Sequence, residues 1–302
     1  SFVSFVIERW MRERDVFVSA AKELGAEVNV QNANGDVEEQ ISQIEYFIKK
    51  QVDVIVVVAG DCEALTDVMI KAREAGIKTV SYDRLIQNAG CDLYISFDNT
   101  EVGRLMAESM LENIPDGGDI FLIQGPLTDN NVSLIREGID ETLAGSNLNV
   151  VYEANCPGWI AENAYTYTKE GLKLDRNVKG IICGNDDLAS QAFRALSEER
   201  LAGKVCVTGQ DGDLAACQRI VEETQEMTAF KSVEQEASLA AKCAVLLGLG
   251  EEIEEVQDTA YDGTYNVPYL ELQPIAVTKE NMDEVIIKGG FHAKEDVYLN
   301  VN

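Results

Sequence analysis

Charged and amide side chains stand at the ends of several predicted strands in this sequence. Arg9 and Trp10 come just past a short strand remnant at Ser1–Ser4. The other polar groups that follow a predicted strand, directly or after a loop, are Asp83, Arg84, Asp129, Asn130, Asn131, Asn185, Asp211 and Lys231. Ligands of open α/β sheets bind beyond the carboxyl ends of the strands. We therefore predict that these side chains form one ligand-binding site.

The chemistry of this set suits a small, neutral sugar. Carboxylate, amide, guanidinium and ammonium groups form strong hydrogen bonds with sugar hydroxyls, which both donate and accept. Trp10 and Trp159 offer flat apolar surfaces for the C–H faces of a pyranose ring. Asp and Asn after strands are also common helix N-caps and turn formers. That explanation suits any single position better than it suits the whole set.

Other chemistries lack the residues they need. The sequence has no glycine-rich phosphate loop and no Gly-x-Ser-x-Gly nucleophile motif. His292 is the only histidine and lies in a polar C-terminal tail, where we expect it to be solvated, so a histidine-rich metal site is excluded. Asp211-Gly212-Asp213 lacks the remaining ligands of a calcium loop. We predict a binding protein without catalytic residues, cofactor or metal ion.

The composition narrows the range of partners. The sequence has 53 acidic and 25 basic residues and a net charge of -28, which argues against direct nucleic-acid binding. No apolar run approaches the roughly 20 residues of a membrane span. The cysteines include no Cys-x-x-Cys pair, so neither a disulfide framework nor a zinc knuckle is indicated. The abrupt start at Ser1 is expected of a processed chain, whose signal peptide or anchor would lie outside this sequence.

Short β-branched runs alternate with amphipathic stretches along the chain. The predicted strands are Glu27–Val30, Asp53–Val58, Lys78–Tyr82, Leu93–Phe97, Asp119–Ile123, Asn149–Tyr152, Gly180–Cys183, Val205–Thr208 and Met227–Phe230. The predicted helices include Val37–Lys50, Glu63–Ala75, Val102–Asn113, Val132–Leu143, Leu188–Arg200 and Ser238–Leu247. Continuous apolar strands separated by helices are typical of parallel sheets covered on both faces. The pattern predicts a doubly wound, Rossmann-like α/β fold.

The length favours two such lobes over one very large sheet. The chain has no long linker, so short crossovers must connect the lobes. The best candidates are the segments after Phe97, near Lys231 and near Leu272–Ile275. We predict an N-terminal lobe of residues 1–97 plus 232–272 and a C-terminal lobe of residues 98–231 plus 273–302. A three-segment hinge would join them, with the ligand in the cleft.

A series of short motifs runs along nearly the whole chain. They are Glu8-Arg9-Trp10, Ser42-Gln43-Ile44-Glu45, Tyr82-Asp83-Arg84, Tyr94–Asn99, Asp129–Asn131, Gly158-Trp159, Glu162–Ala164, Asn185-Asp186, Gly209–Asp211 and Lys288–His292. In this order they resemble the bacterial D-xylose-binding proteins. These are type I periplasmic binding proteins, related to the ribose and galactose receptors.

The resemblance implies two lobes joined by three crossovers, with one D-xylose between them. Its hydrogen-bonding set would be Arg9, Asp83, Arg84, Asp129, Asn130, Asn131, Asn185, Asp211 and Lys231. Trp10 and Trp159 would sandwich the sugar ring, and we expect Asp83 to hold the guanidinium of Arg84.

The sequence departs from the family's pattern in three places. Val58–Asp61 stands where the family often has a Pro-Tyr-Asn run, and Ser232 stands where proline is common. The first strand is reduced to Ser1–Ser4. None of these changes removes a predicted sugar contact.

The function predicted from these features is extracytoplasmic capture of a sugar for the membrane permease of an ABC importer. One alternative is a sensory receptor that reports sugar occupancy to a membrane histidine kinase or chemoreceptor. A second is the effector domain of a LacI-type repressor, which would need an N-terminal helix-turn-helix that this sequence lacks. An enzyme is disfavoured, because no activated nucleophile or tuned acid–base pair is identifiable. The exact sugar, the membrane partner and the oligomeric state stay open.

Overall fold

The computed structural model describes residues 8–256 and 258–301. The chain divides into two compact units. Unit 1 comprises the described residues up to Asp98 together with Thr128–Asn131 and Ser232–Leu272, and unit 2 comprises Asn99–Leu127, Val132–Lys231 and the described residues from Gln273 onward. The short segment Thr128–Asn131 groups with unit 1, whereas the predicted lobe boundary keeps residues 98–231 together. The assignment of lobes stays a prediction.

Helices and strands alternate along the chain. The helices are α1 (Glu8–Glu23), α2 (Val37–Lys50), α3 (Thr66–Glu74), α4 (Asn99–Asn113), α5 (Asn130–Leu143), α6 (Glu162–Leu174), α7 (Asp186–Glu198), α8 (Leu214–Val221), α9 (Val233–Leu249) and α10 (Lys294–Val297). The strands are β1 (Val54–Val57), β2 (Lys78–Tyr82), β3 (Leu93–Phe97), β4 (Gly118–Gln124), β5 (Leu148–Asn155), β6 (Gly180–Cys183), β7 (Cys206–Gln210), β8 (Met227–Phe230), β9 (Asp258–Tyr261), β10 (Asn266–Leu272) and β11 (Ile275–Val277).

Unit 1 contains a sheet whose described strands follow the order β1-β2-β3-β10-β9. The first four run parallel, and β9 pairs antiparallel with β10 at the edge. Helix α2 begins where the Asp36 side chain accepts a hydrogen bond from the Glu39 amide, and it buries Ile44 and Phe47 in the core. Helix α1 packs on α9. The parallel strands direct their carboxyl ends, including the end of β2 before Asp83, to one edge of the sheet.

Unit 2 contains a sheet with the order β11-β8-β7-β6-β4-β5. Its described strands are parallel except β11, which pairs antiparallel with β8. Helices α4 and α5 pack closely because each has a glycine at the contact. A Cβ added at Gly103 would lie 2.0 Å from the carbonyl oxygen of Ile135, and one at Gly138 would lie 2.0 Å from that of Thr100.

The structure confirms the predicted fold class, with two α/β units and mainly parallel sheets. Glu27–Val30 pairs with none of the strands formed by the described residues, so the strand predicted there stays a prediction. The predicted remnant at Ser1–Ser4 lies outside the described residues. Among those residues, no helix is both long and apolar enough to cross a membrane.

Candidate functional site

Arg9 is the centre of a buried, charged cluster in unit 1. It lies at the start of α1, close to Asp83 after β2 and Glu236 in α9. Its Nη2 atom donates to Asp83 Oδ2 at 2.8 Å and to Glu236 Oε2 at 2.6 Å. All three side chains are almost completely shielded from solvent. Charge-assisted hydrogen bonds of this kind are short and strong, so they fix three separate chain segments against one another.

Glu13 lies one helical turn after Arg9 and has a shifted pKa. Its Oε1 accepts a hydrogen bond from Arg9 Nε at 3.1 Å, and its Oε2 accepts one from the hydroxyl of Tyr82. Burial raises the pKa of Glu13 to about 7, although the charge of Arg9 opposes this shift. Burial, followed by the nearby Glu13 carboxylate, also raises the pKa of Tyr82. Glu13 therefore changes charge near neutral pH, while Tyr82 remains a donor.

Arg84 has a different carboxylate partner from the one expected. Its Nε atom lies 2.8 Å from Asp129 Oδ2 but 4.0 Å from Asp83 Oδ1. Its Nη1 atom donates to the carbonyl oxygen of Ala59 at 2.8 Å. The expectation that Asp83 holds Arg84 is corrected, because Arg9 already occupies Asp83 and the segment with Asp129 folds onto unit 1.

Asp83 is held in an unusual backbone conformation by its neighbours. It is a non-glycine residue with a φ of 62°, a region that side-chain-bearing residues rarely adopt. Its carbonyl oxygen accepts a hydrogen bond from Ser96 Oγ at 2.7 Å, and its Oδ1 accepts one from Asn131 Nδ2 at 2.9 Å. Asn130 Oδ1 accepts from the Leu85 amide at 2.9 Å. The Asn pair at the start of α5 thus orders the loop after β2.

Trp10 lies against both guanidinium groups of the cluster. The centroid of its ring is 4.9 Å from Cζ of Arg9 and 5.5 Å from Cζ of Arg84, distances that allow cation–π attraction. Trp10 Nε1 and Asn131 Oδ1 are among the buried atoms here to which the described residues offer no hydrogen-bond partner. Buried polar atoms without partners are uncommon, so both atoms are suited to a polar ligand.

Asp211 and Lys231 form the charged pair of unit 2. Lys231 Nζ lies 3.6 Å from Asp211 Oδ1, and both residues are buried. Asp211 has a φ of 98° and is followed by Gly212 at 75°, so the chain turns sharply after β7. Glycine adopts such a φ freely, but for Asp211 it is a strained conformation that the surroundings must stabilise.

Asp186 provides much of that stabilisation. Its Oδ2 accepts hydrogen bonds from the amides of Gly212 at 3.0 Å and Asp213 at 3.1 Å, and from Thr228 Oγ1 at 2.7 Å. Its Oδ1 accepts from Gln225 Nε2 at 3.0 Å. Burial raises the pKa of Asp186 to about 7, whereas the hydrogen bond from Thr228 lowers it.

Asn185 is the N-cap of α7, since its Oδ1 accepts a hydrogen bond from the Leu188 amide at 2.9 Å. The capping explanation considered for the sequence therefore applies to this residue. Trp159 is half-buried, and its ring lies directly against two glycines. A Cβ at Gly125 would lie 2.2 Å from Trp159 Cζ2, and one at Gly184 would lie 3.1 Å from Cζ3.

The structure brings most of the predicted residues together within their own units. In unit 1 these are Arg9, Trp10, Asp83, Arg84, Asp129, Asn130 and Asn131. In unit 2, Asp211 and Lys231 form an ion pair, and Asn185 and Trp159 contact neighbours near the ends of β6 and β4. Their role in ligand contact stays a prediction.

Four residues that support this set were not predicted from the sequence. Glu13 could have been found from its spacing of four after Arg9, and Asp186 from its place beside Asn185. Tyr82 lies in the motif Tyr82-Asp83-Arg84, but its residue type alone does not indicate a supporting role. Glu236 gave no signal, because nothing in the sequence distinguishes it from the other acidic residues of the chain, which has 53 in all.

His292 is not the solvated tail residue that the sequence suggested. It is half-buried, and its Nε2 lies 2.8 Å from the carbonyl oxygen of Gly212. The tail residues 294–297 form α10, which packs on α8 and keeps this segment against unit 2.

The run that replaces Pro-Tyr-Asn is ordered by α2. Gln40 Nε2 donates to the carbonyl oxygen of Val58 at 2.8 Å, and Gln40 Oε1 accepts from the Gly60 amide at 2.8 Å.

The seven cysteines are free thiols, and only Cys206 is not fully buried. Burial raises the pKa of Cys62 to about 12. No group of three or more potential metal ligands occurs within residues 8–256 and 258–301.

Two α/β units that each present buried polar groups beyond their strands define a two-lobed binding protein. The chain belongs to the periplasmic binding protein family, because the family described as "Periplasmic binding protein domain" matches residues 3–252. Members of this family bind substrates and do not convert them, so the chain is a binding protein and not an enzyme.

Similar proteins cover nearly the whole chain. The D-xylose-binding periplasmic protein of Haemophilus influenzae is 44% identical over 97% of this chain and 89% of its own length. The protein of the same name from Escherichia coli is 40% identical over 96% of this chain and 89% of its own length. An ABC transporter solute-binding protein from Clostridium phytofermentans, solved with β-D-glucose, superposes with a TM-score of 0.90, 26% identity and 98% coverage of both chains.

Proposed function

We propose that this chain captures D-xylose outside the cytoplasm and delivers it to the membrane permease of an ABC importer. The observation that carries the proposal is the buried Arg9–Asp83 pair beside Trp10, in a chain 44% identical to a D-xylose-binding protein. A sugar hydroxyl can accept from a guanidinium and donate to a carboxylate, and such paired groups recognise neighbouring hydroxyls in one orientation.

The proposed contacts come from both units. The hydrogen-bonding residues are Arg9, Asp83, Arg84, Asp129, Asn130 and Asn131 of unit 1, and Asn185, Asp211 and Lys231 of unit 2. Trp10 and Trp159 would pack on the sugar ring. The buried Trp10 Nε1 and Asn131 Oδ1 support this assignment, because a sugar hydroxyl could satisfy either atom.

Calorimetry against a panel of D-xylose, D-ribose, L-arabinose and D-glucose tests the proposed ligand. We expect one site per chain for D-xylose, with a dissociation constant of about 1 µM or lower, or about −8 kcal/mol. The exposed Lys71→Ala variant should bind xylose as the parent does. Tight binding of ribose or glucose without measurable binding of xylose would refute the ligand assignment.

Reconstitution tests the proposed partner. In proteoliposomes that contain the importer, the sugar-loaded chain should stimulate ATP hydrolysis more than the sugar-free chain does. Stimulation of a membrane sensor kinase without any effect on an importer would instead favour the sensory alternative.

A further inference from the structure

The dipeptide Phe291–His292 touches both segments that carry the charged pair of unit 2. The ring of Phe291 packs edge-on against Phe230, with centroids 4.8 Å apart, and Phe230 immediately precedes Lys231. His292 Nε2 lies 2.8 Å from the carbonyl oxygen of Gly212, which immediately follows Asp211. The two neighbouring residues therefore contact the chain next to each member of the Asp211–Lys231 pair.

The direction of the histidine contact follows from its partner. A carbonyl oxygen can only accept a hydrogen bond, so the Nε2 atom of His292 must carry a proton and donate. Both the neutral Nε2–H form and the imidazolium ion can do this. The contact therefore does not require His292 to be charged.

The local sequence explains why the dipeptide lies there. Gly290 has a φ of 77°, which reverses the chain after a helical turn at Asp283–Ile287. The Phe291 amide then donates to the carbonyl oxygen of Ile286 at 3.0 Å. Beyond the dipeptide, Gln218 of α8 donates to the carbonyl oxygen of Asp296 in α10 at 2.8 Å. The segment is thus fixed on both sides of Phe291–His292.

The turn at Asp211 needs such support. Asp186 accepts hydrogen bonds from the amides of Gly212 and Asp213, and the Asp211 amide donates to the carbonyl oxygen of Ala229. His292 holds the Gly212 carbonyl oxygen. Phe230 fills the space beside Gly212, where an added Cβ would lie 2.7 Å from Phe230 Cδ2. Phe291 packs on the same ring, so the dipeptide restrains the turn both through a hydrogen bond and through Phe230.

We propose that Phe291 and His292 are positioning residues that hold Asp211 and Lys231 in the geometry needed for sugar binding. The proposal rests on the proposed function of D-xylose capture. Neither residue is assigned a contact with the sugar. They act through Gly212 and Phe230.

Two substitutions of His292 separate positioning from general stability. His292→Phe keeps a ring but loses the donor, and His292→Gln keeps an N–H donor of similar reach. We expect His292→Phe to weaken xylose binding about tenfold, as one lost hydrogen bond can, and His292→Gln to recover most of the affinity. Glu295→Gln serves as the control, because it changes an exposed residue of the same C-terminal segment.

Amide exchange measured by NMR without sugar gives a second readout. His292→Phe should speed exchange at Gly212 and Asp213, while Glu295→Gln should leave both at the parent rate. Unchanged affinity and unchanged exchange in His292→Phe would overturn the proposal. Equal losses of affinity in His292→Phe and His292→Gln, in proportion to lowered melting temperature, would also overturn it. If the parent chain does not bind xylose, the proposed function fails, and the exchange rates alone decide whether His292 positions the turn.

Discussion

The candidate residues of the two units are held in place by different means. In unit 1 the side chains hold one another, since Arg9 joins Asp83, Glu13 and Glu236 while Arg84 joins Asp129. In unit 2 the candidate residues are held mainly through backbone groups. There the turn at Asp211 is fixed through amide and carbonyl groups that contact Asp186 and His292.

Each unit also has one supporting carboxyl group whose pKa burial raises to about 7, Glu13 in unit 1 and Asp186 in unit 2. Their partners differ in a way that matters for substitution. Glu13 receives its hydrogen bonds from Arg9 and Tyr82, whose hydroxyl can also accept. Asp186 receives two of its bonds from backbone amides, which can only donate. Glu13 and Asp186 therefore have similar pKa values, but we expect Glu13 to tolerate replacement by a neutral amide better than Asp186 does.

The largest expected effect is that of Asp186→Asn. Asparagine has one acceptor oxygen, and its amide group would face donors that Asp186 now satisfies. We expect the free energy of unfolding to fall by about 3–5 kcal/mol, because each buried donor left unpaired costs about 1–3 kcal/mol. Urea denaturation followed by circular dichroism measures this, with the exposed Glu137→Gln as a control that should stay near the parent. Parent-like stability of Asp186→Asn would show that the backbone turn does not depend on this carboxylate.

Arg84→Ala tests the side-chain network of unit 1. It leaves Asp129 buried without its ion-pair partner, so we expect xylose binding to weaken by about 2–4 kcal/mol. Arg84→Lys should recover only part, since an ammonium group lacks the planar fork of a guanidinium. Calorimetry on folded protein measures both, and Arg104→Ala, at an exposed arginine of unit 2, should bind as the parent does. The assignment fails if Arg84→Ala keeps full affinity at an unchanged melting temperature.

Glu13→Gln should have a smaller effect that depends on pH. The pKa of Glu13 is raised from 4.5 to about 7, so the stability it contributes is fully present below about pH 4.5 and is lost as the pH rises through about 7. Glutamine stays neutral throughout. We expect the unfolding free energy of Glu13→Gln, relative to the parent, to rise by about 1–2 kcal/mol from about pH 5 to about pH 8.

Urea denaturation at several pH values measures this difference. Glu23→Gln is the matched control, because Glu23 is an exposed acid on the same helix. If the difference in unfolding free energy between Glu13→Gln and the parent does not change with pH, Glu13 does not titrate in this range beside Arg9.

A modest effect is also expected at Trp159, where no charge is left unpaired. Trp159→Ala should weaken xylose binding by about 1–3 kcal/mol through lost apolar contact, and Trp159→Phe should restore most of it because a flat ring remains. The same calorimetry measures both. Parent-like binding by Trp159→Ala would mean that this ring does not contact the sugar.

The sequence predicted those parts of the molecule that depend on local patterns. Helix Val37–Lys50 and strands Lys78–Tyr82 and Leu93–Phe97 have the predicted bounds, because their apolar positions repeat regularly. Helix α1 was not among the predicted helices, since its buried positions include Arg9, Trp10 and Glu13, which interrupt an apolar repeat.

Contacts between distant segments could not be predicted. The pairing of Arg84 with Asp129 depends on residues 128–131 lying with unit 1, and no local pattern encodes that placement. The residues that support the site, such as Glu236 and His292, resemble ordinary surface residues in the sequence. Only their burial and partners in the folded chain distinguish them.

The position of β10 has a consequence for the order in which the chain can fold during synthesis. This strand lies between β3 and β9 in the sheet, so Leu93–Phe97 must pair with Asn266–Leu272. Pairings between such distant segments form slowly, and they cannot form at all before the later segment has left the ribosome. The segments of unit 1 that are translated first therefore complete their sheet only after Asn266–Leu272 has been translated. Until then β3 has an unpaired edge, to which a chaperone that binds extended segments could bind.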